Sequence, residues 1–364
     1  MKRIGIVGGG QLGMMIAEAA REFDAACVVL DPTPDAPAFA FASDKIVAPY
    51  DDVAALVRLC QQSDVVTYEF ENIPARVITP LCERYNVRQG YKQLLDSQDR
   101  LHEKRNAQQH GLQTPPFEAV DDLASLKAAV EKIGLPAVLK TRTLGYDGRG
   151  QMVLKTEADI AAAEPMLSVP CILEGFVEFD FEVSLIMIGD GRDTVMMPIG
   201  RNKHRDGILD LCILPSGISA EMEQKIFNES RKFMRECGYR GILTIEYFVK
   251  GEEVIFNEMA PRPHNSGHFS IEGATTSQFR EMVKYLLDIP LEQAELSAPN
   301  VIMKNILGED MEVAEQIAAE AHEGVYVHLY GKSISKPKRK MGHITFVGLS
   351  EAEYNEKWRE RFKK

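Results

Sequence analysis

The chain has 364 residues, enough for two or three domains with a well-buried core. A net charge of −12 argues against a broad electrostatic footprint for nucleic acid, so any anionic substrate must be met by local basic residues. No apolar run approaches the roughly 20 residues that span a bilayer, and six scattered cysteines without C-x-x-C spacing argue against a zinc site and fit a reduced, cytoplasmic protein.

Residues 1 to about 95 read as β-α-β units, with a strand from Ile4 to Val7, a helix from Gln11 to Phe23 and a strand from Ala26 to Leu30. A helix from Val53 to Gln61 and a strand from Asp64 to Tyr68 follow. This alternation implies a parallel sheet covered by helices. Gly8-Gly9-Gly10-Gln11-Leu12-Gly13 matches G-x-G-x-x-G between the first strand and helix, and Asp31 ends the second strand, the pattern of a dinucleotide site. A tight strand-to-helix turn needs glycine whatever it binds. The same residues therefore also read as a phosphate cradle at a helix N-terminus, with the Gln11 amide beside it.

A polar helix from Ser97 to His110 is ended by Gly111 and Thr114-Pro115-Pro116. Asp122 then caps a helix that stops at Gly134, and Pro136 to Lys140 is a strand. The loop Gly145-Tyr146-Asp147-Gly148-Arg149-Gly150-Gln151 has three glycines within six residues, which lets backbone fold over phosphate oxygens while Lys140 adds positive charge. A plain hairpin turn at Asp147-Gly148 is the rival reading. A strand from Gln151 to Leu154, a helix from Asp159 to Met166 and a strand from Cys171 to Glu174 complete a small α+β unit. Glu174-Gly175-Phe176-Val177 fits an adenine-binding hinge and Glu182 fits a contact to ribose hydroxyls, although ordinary sheet explains this segment as well.

Strands from Phe181 to Met187, Thr194 to Ile199 and Leu209 to Leu214 predict a larger antiparallel sheet, packed by a helix from Ala220 to Cys237. Next comes a hairpin of Leu243 to Val249 and Val254 to Phe256 around a three-residue turn, Gly251-Glu252-Glu253. That register sets Phe248 against Phe256 and Glu246 against Glu258, with Cβ atoms roughly 4.5–5.5 Å apart. Like charges so placed repel unless a proton or cation intervenes. An all-oxygen pair with Asn257 beside it suits magnesium bridging phosphates better than zinc; the rival is a solvent-facing pair on an edge hairpin. Asn257-Glu258-Met259-Ala260-Pro261-Arg262-Pro263-His264-Asn265-Ser266-Gly267-His268 then leaves the strand as a shaped loop, because prolines at alternate positions rule out helix. A helix from Thr276 to Leu287 precedes a β-rich tail with strands Val301 to Met303, Tyr326 to Leu329 and His343 to Val347, and Glu351 to Lys364 reads as a terminal helix or frayed end.

A lysine-ended strand, a glycine loop, an acidic hinge and paired acidic residues on a late hairpin is the order of parts in the ATP-grasp ligases. Three motifs narrow the match: Gly8 to Gly13, Gly145 to Gln151, and Asn257 to His268. With them, the chain resembles the N5-carboxyaminoimidazole ribonucleotide synthetase family from residue 1 to about 349. The resemblance implies an ATP-grasp fold of α/β and α+β class. It has a Rossmann-like parallel-sheet domain at 1–96, an ATP-grasp domain at 97–297 with a lid at about 115–175, and a small β-rich domain at 298–364. It also implies a ligase of purine biosynthesis that uses MgATP and bicarbonate to carboxylate 5-aminoimidazole ribonucleotide through carboxyphosphate, acting as a cytoplasmic homodimer without nucleic-acid or membrane partners.

By the same resemblance, Arg100, Lys140, Gly145 to Gln151, Glu174 to Val177, Glu182, His204, Asn257 and Glu258 contact the nucleotide, and Glu246 and Glu258 hold magnesium. Tyr146, Asp147 and Arg149 meet the ribonucleotide, with Asp147 the acceptor of the amine proton. Arg262, His264 and Asn265 hold bicarbonate or its phosphorylated form, since a guanidinium with polar donors suits a small oxyanion. The ribonucleotide phosphate lies at Gly10, Gln11 and Leu12, with Glu69 and Glu71 at a strand's carboxyl end and Lys332 and Arg339 reaching in from the tail. Three readings compete: a formate-using glycinamide ribonucleotide transformylase sharing the Pro-Arg-Pro-His start, an NAD-dependent oxidoreductase resting on Gly8 to Gly13 and Asp31, and a non-catalytic nucleotide-binding regulator.

Overall fold

The computed structural model describes residues 1–145 and 150–362. Its first sheet is parallel and four-stranded, with β1 (Arg3–Val7), β2 (Ala26–Asp31), β3 (Asp44–Val47) and β4 (Val65–Tyr68) in the order β3-β2-β1-β4. The turn after β1 is forced by two glycines. Gly8 adopts φ +109°, and a Cβ on Gly13 would meet the Gly8 carbonyl oxygen at 2.3 Å, so the helix Gln11–Arg21 can approach the strand only with glycine there.

The second sheet is antiparallel: β5 (Phe117–Val120), β6 (Ala137–Thr141), β7 (Gln151–Leu154) and β8 (Cys171–Gly175), ordered β5-β8-β6-β7. The helix Leu123–Ile133 covers it, begun by a reciprocal cap between Asp122 and Ser125. The third sheet has nine strands: β9 (Phe181–Gly189), β10 (Thr194–Met196), β11 (Gly200–Arg205), β12 (Ile208–Leu214), β13 (Gly241–Lys250), β14 (Glu253–Ala260), β15 (Val301–Leu307), β16 (Val325–Leu329) and β17 (Lys340–Val347). The tail strands extend this sheet, because β15 pairs antiparallel with β12 and then with β17.

Several elements differ from expectation. The polar helix predicted from Ser97 to His110 is two helices, Lys92–Ser97 and Arg100–Gln109, because Asp99 takes an extended backbone and caps the second through the Leu101 and His102 N–H groups. The strand expected up to Ile199 stops at Met196, and the polar run Gly200–Arg205 pairs instead between β9 and β12. Unforeseen helices occupy Ala75–Arg84 and Met311–Glu320. The chain end is a short helix, Glu351–Lys357, followed by a turn that buries Trp358 and Phe362.

One apolar core joins the first and third sheets: Ile4, Ile6 and Ile16 share it with Ile186, Ile188 and Met282. Burial of these aliphatic side chains stabilises the junction by roughly 1.5–3 kcal/mol each. With the two sheets so joined, Glu71 after β4 reaches Arg262 in the loop after β14. Among the described residues no helix is long and apolar enough to cross a membrane.

Candidate active site

A cleft of about 860 Å³ lies where the three sheets meet. Its floor is the hairpin β13–β14. The turn has two residues, Gly251 and Glu252, with Lys250 opposite Glu253, so Tyr247 and not Phe248 faces Phe256. A bulge between Glu246 and Tyr247 then passes over Asn257 and restores the pairing of Glu246 with Glu258. The predicted opposition of the two carboxylates therefore holds, although the turn and register that produce it differ from expectation.

The two acids are kept apart electrically. Burial, with Glu258 alongside, pushes the Glu246 carboxyl up to about 8, and its Oε1 lies 3.2 Å from His264 Nε2. Burial acts the same way on Glu258, but Arg100, donating from Nη1 at 2.8 Å, outweighs it and holds that carboxyl low. Glu258 is 43% exposed to the cleft. A buried acid that retains its proton beside a charged one is an arrangement in which a divalent cation can replace the proton, and the oxygen donors suit magnesium. Glu246 also belongs to the group Glu182, His204 and Glu246, whose ligand-type atoms lie within 4.8 Å of one another among the described residues. In that group His204 Nδ1 is 2.7 Å from Glu182 Oε2; burial lowers the imidazole's affinity for a proton, and Glu182 more than restores it.

Beneath this floor lies a layer of buried charge in which Glu103 and Lys104, not foreseen from the sequence, join Lys140 and Glu174, which were. Lys140 Nζ sits 2.9 Å from Glu174 Oε2, and Lys104 Nζ is 3.4 Å from the same oxygen while donating to the Asn257 carbonyl at 2.5 Å. Glu103 accepts the Met259 N–H at 2.6 Å. Burial pushes Glu174 up, but Lys104 and Lys140 reverse this and hold it down at about 2. Arg100, Glu103 and Lys104 stand three and four positions apart on one helical face, so the spacing from Arg100 was the available signal. Asp99 holds the Arg142 guanidinium, with Nη2 2.5 Å from Oδ2, and Arg100 Nη2 donates to the Gly145 carbonyl at 3.2 Å. These contacts pin the start of the glycine loop. Tyr146, Asp147, Gly148 and Arg149 lie outside the described residues.

Gln151, Glu174, Gly175, Phe176, Val177 and Glu182 line the cleft together. The Gly175 and Phe176 N–H groups are already used by Pro116 and Pro136 carbonyls, at 2.8 and 3.2 Å. Val177 follows the end of β8 and is the position at which the hinge leaves the ladder. Phe176 and Phe179, 42% and 41% exposed, give this end an apolar wall, with Phe179 stacked on Phe248 at 4.6 Å.

At the opposite end, Glu69 and Glu71 leave β4. The glycine turn is partly filled by the chain's own carboxylates: Gly9 N–H donates to Asp31 at 2.7 Å and Gly10 N–H to Glu69 at 3.0 Å. Gln11 and Leu12 line the cleft, whereas the Gly10 amide is engaged by Glu69. Asp31 also accepts from the Thr33 N–H and the Tyr50 hydroxyl, at 2.8 and 2.6 Å, which leaves it poorly placed for the ribose of a dinucleotide. Burial raises the Glu69 carboxyl to about 7 against the pull of Gly10, Arg262 and Lys332.

Arg262, His264 and Asn265 line the cleft between the two ends. Arg262 is ion-paired through Nε to Glu71 Oε1 and donates from Nη1 to the Pro263 carbonyl at 3.2 Å. The buried Asn265 Nδ2 has no partner, so it is a donor available to a ligand. His264 is held neutral, by burial first and then by nearby Arg262. His268 turns away from the cleft into a buried cluster with His343, ring centroids 4.8 Å apart. From the tail, Lys340 lines the cleft. Lys332, lowered to about 8 by burial and by Arg339, lies near enough to Glu69 for each to perturb the other. Arg339 is exposed and donates to the Ile334 carbonyl at 2.5 Å. Neither Lys332 nor Arg339 lines the cleft, nor do Gly10 and Gly150.

The ribonucleotide synthetase pre-ATP-grasp domain matches residues 1–98, the ATP-grasp domain matches 105–279, and the phosphoribosylaminoimidazole carboxylase C-terminal domain matches 301–357. The chain is 40% identical over 348 residues to the N5-carboxyaminoimidazole ribonucleotide synthase of Staphylococcus haemolyticus, covering 94% of this chain and 92% of that protein. It is similar to the crystal structure of N5-carboxyaminoimidazole synthetase from Staphylococcus aureus complexed with ADP, with a TM-score of 0.94 at 37% identity, covering 100% and 97% of the two chains. It is also similar to the Aspergillus clavatus N5-carboxyaminoimidazole synthase in complex with ADP and 5-aminoimidazole ribonucleotide, with a TM-score of 0.91 at 26% identity over 99% and 97%.

Proposed function

The chain belongs to the N5-carboxyaminoimidazole ribonucleotide synthase family of ATP-grasp ligases, and on that premise we propose how its own residues divide the reaction. The protein carboxylates 5-aminoimidazole ribonucleotide at the expense of ATP and bicarbonate, a step of purine biosynthesis. The observation that carries the residue assignment is the single cleft in which Glu246 and Glu258, Lys140 and Arg262 face one another.

ATP lies with its base between Phe176 and Val177 and its ribose toward Glu182. Lys140 and Arg100 meet the phosphates with N–H donors that Glu174 and Glu258 leave free, since an ammonium carries three donors and a guanidinium five. Glu246 and Glu258 hold magnesium, which when bound neutralises charge developing on the transferred phosphoryl group. Arg262 and the unpartnered Asn265 amide hold bicarbonate as it is phosphorylated, and the neutral His264, with Nε2 3.2 Å from Glu246 Oε1, limits where that carboxyl can swing. The carboxyphosphate formed must be used before water reaches it, so the ribonucleotide has to be held beside it. Tyr146 and Arg149 orient the ribonucleotide, and Asp147 accepts the amine proton. The Gln11 side chain and the Leu12 N–H hydrogen-bond its phosphate and Lys332, Lys340 and Arg339 neutralise it, while Glu69 and Glu71 accept from its hydroxyls. The free state of all six cysteines supports a cytoplasmic setting, and the same reading extends to a homodimer.

The test is ADP release from purified protein with MgATP and bicarbonate, with and without 5-aminoimidazole ribonucleotide. Strong stimulation by the ribonucleotide, with bicarbonate required for product, is expected. Absence of turnover under both conditions, with tight NAD binding instead, overturns the assignment.

A further inference from the structure

The arginine assigned to bicarbonate is already occupied. Arg262 presents two hydrogen-bonding edges: Glu71 Oε1 takes Nε on one, and the Pro263 carbonyl takes Nη1 on the other at 3.2 Å. Burial would weaken the cationic form of this guanidinium, and Glu71, the largest opposing influence, together with Glu69 and Glu258 more than offsets it. Both side chains face the cleft, Arg262 24% and Glu71 30% exposed, so an incoming ligand can reach either one. Glu71 does not drift with a free loop. Gln98 Nε2 donates to the Glu71 and Ile73 carbonyls at 2.6 and 2.8 Å, fastening this backbone to the residue before the Asp99 cap and two before Arg100.

We infer that Glu71 is a positioning residue that keeps Arg262 from bicarbonate until 5-aminoimidazole ribonucleotide engages the Glu71 carboxylate. An oxyanion and Glu71 compete for the same guanidinium edge, and both cannot take it bidentately. Glu71 stands at the carboxyl end of β4 beside Glu69, where hydroxyls of a ribose would draw its oxygens away. Release then gives bicarbonate a cation whose charge is no longer compensated. By linkage, the ribonucleotide tightens bicarbonate and bicarbonate tightens the ribonucleotide. The device ties formation of a short-lived mixed anhydride to the presence of its acceptor. It rests on the functional reading above.

The experiment compares wild type with Glu71→Gln, measuring ADP release over a range of bicarbonate concentrations with and without the ribonucleotide. Glu71→Gln is expected to raise ribonucleotide-independent, bicarbonate-dependent ADP release at least about fivefold, the lower end of ordinary coupling between sites. The bicarbonate KM without ribonucleotide falls and the stimulation ratio shrinks. Glu71→Asp, which keeps the charge, restores a low basal rate. In the wild type alone, the apparent bicarbonate KM drops as ribonucleotide is added, a readout that survives if the glutamine variant does not fold. An unchanged basal rate and bicarbonate KM in a folded Glu71→Gln overturns the inference. That holds whether the variant only raises the ribonucleotide KM, as a simple contact would, or only lowers turnover, as a structural pair would. A wild type that makes no product with all three substrates overturns the functional reading instead.

Discussion

The two ends of the cleft are built on different principles. At the nucleotide end the charges sit on strands and on one helical face, buried in a network in which Lys104 and Lys140 share Glu174 and Arg100 takes Glu258. At the ribonucleotide end they sit on loops, and the donors are filled by the chain itself: Glu69 on the Gly10 amide, Glu71 on Arg262, and the Lys340 carbonyl on Lys332 at 2.6 Å. On the proposed assignment of the two ends, the first is preorganised for its ligand and the second has to exchange internal partners for substrate. Preorganised charge costs little reorganisation at the moment of reaction, whereas exchanged partners give control over when the reaction begins.

The largest effect should come from the nucleotide end. Glu258→Gln removes one acid of the opposed pair and frees Arg100 from its carboxylate, so ATP turnover should fall by on the order of 10³-fold, with circular dichroism and thermal unfolding close to wild type. A variant retaining full turnover would sink the metal assignment and, with it, the picture of a preorganised floor.

Lys104→Met sharpens the same contrast. Lys104 is 1% exposed, and its ammonium bridges Glu174 to the carbonyl of Asn257 in the floor strand. Removing one partner of a buried charge network leaves the others uncompensated, a loss of about 3 kcal/mol or more. Urea unfolding should report that loss, and the KM for ATP should rise more than the KM for the ribonucleotide. Equal rises in both would mean that the buried network supports the whole cleft and not one end of it.

How much of this was legible in the sequence follows the same division. The opposed glutamates were readable because strands alternate and hairpins pair predictably. The expected turn was one residue too long, and the bulge at Glu246, which no residue pattern announces, cancelled the error. Strand Gly200–Arg205, which carries His204, was invisible because Gly-Arg-Asn-Lys-His-Arg has no apolar alternation and is held by its neighbours β9 and β12. Glu103 and Lys104 were passed over because their helix is polar around most of its surface, and burial of charge depends on what packs against it. The internal partners at the ribonucleotide end link residues as far apart as Glu71 and Arg262, and only the shared core between the first and third sheets brings them together.

The smallest effect tests whether the ribonucleotide end holds unfavourable charge in reserve. Burial raises the Glu69 carboxyl from its ordinary 4.5 to about 7, so in the folded protein its carboxylate is the disfavoured form. Between those two values the folded chain binds a proton that the unfolded chain has released. Stability attributable to Glu69 is therefore full below about pH 4.5, declines as pH rises, and is lost above about 7. Glu69→Gln keeps an acceptor for the Gly10 amide without a charge to bury. It should match the wild type near pH 5 and exceed it at pH 8, by about 1–2 kcal/mol once the water reaching the cleft is allowed for. Thermal unfolding of both proteins across that range measures the gap. A gap that stays constant with pH would mean that Glu69 is as well solvated as a surface acid, and the ribonucleotide end would then have no buried anion waiting for a substrate to accommodate it.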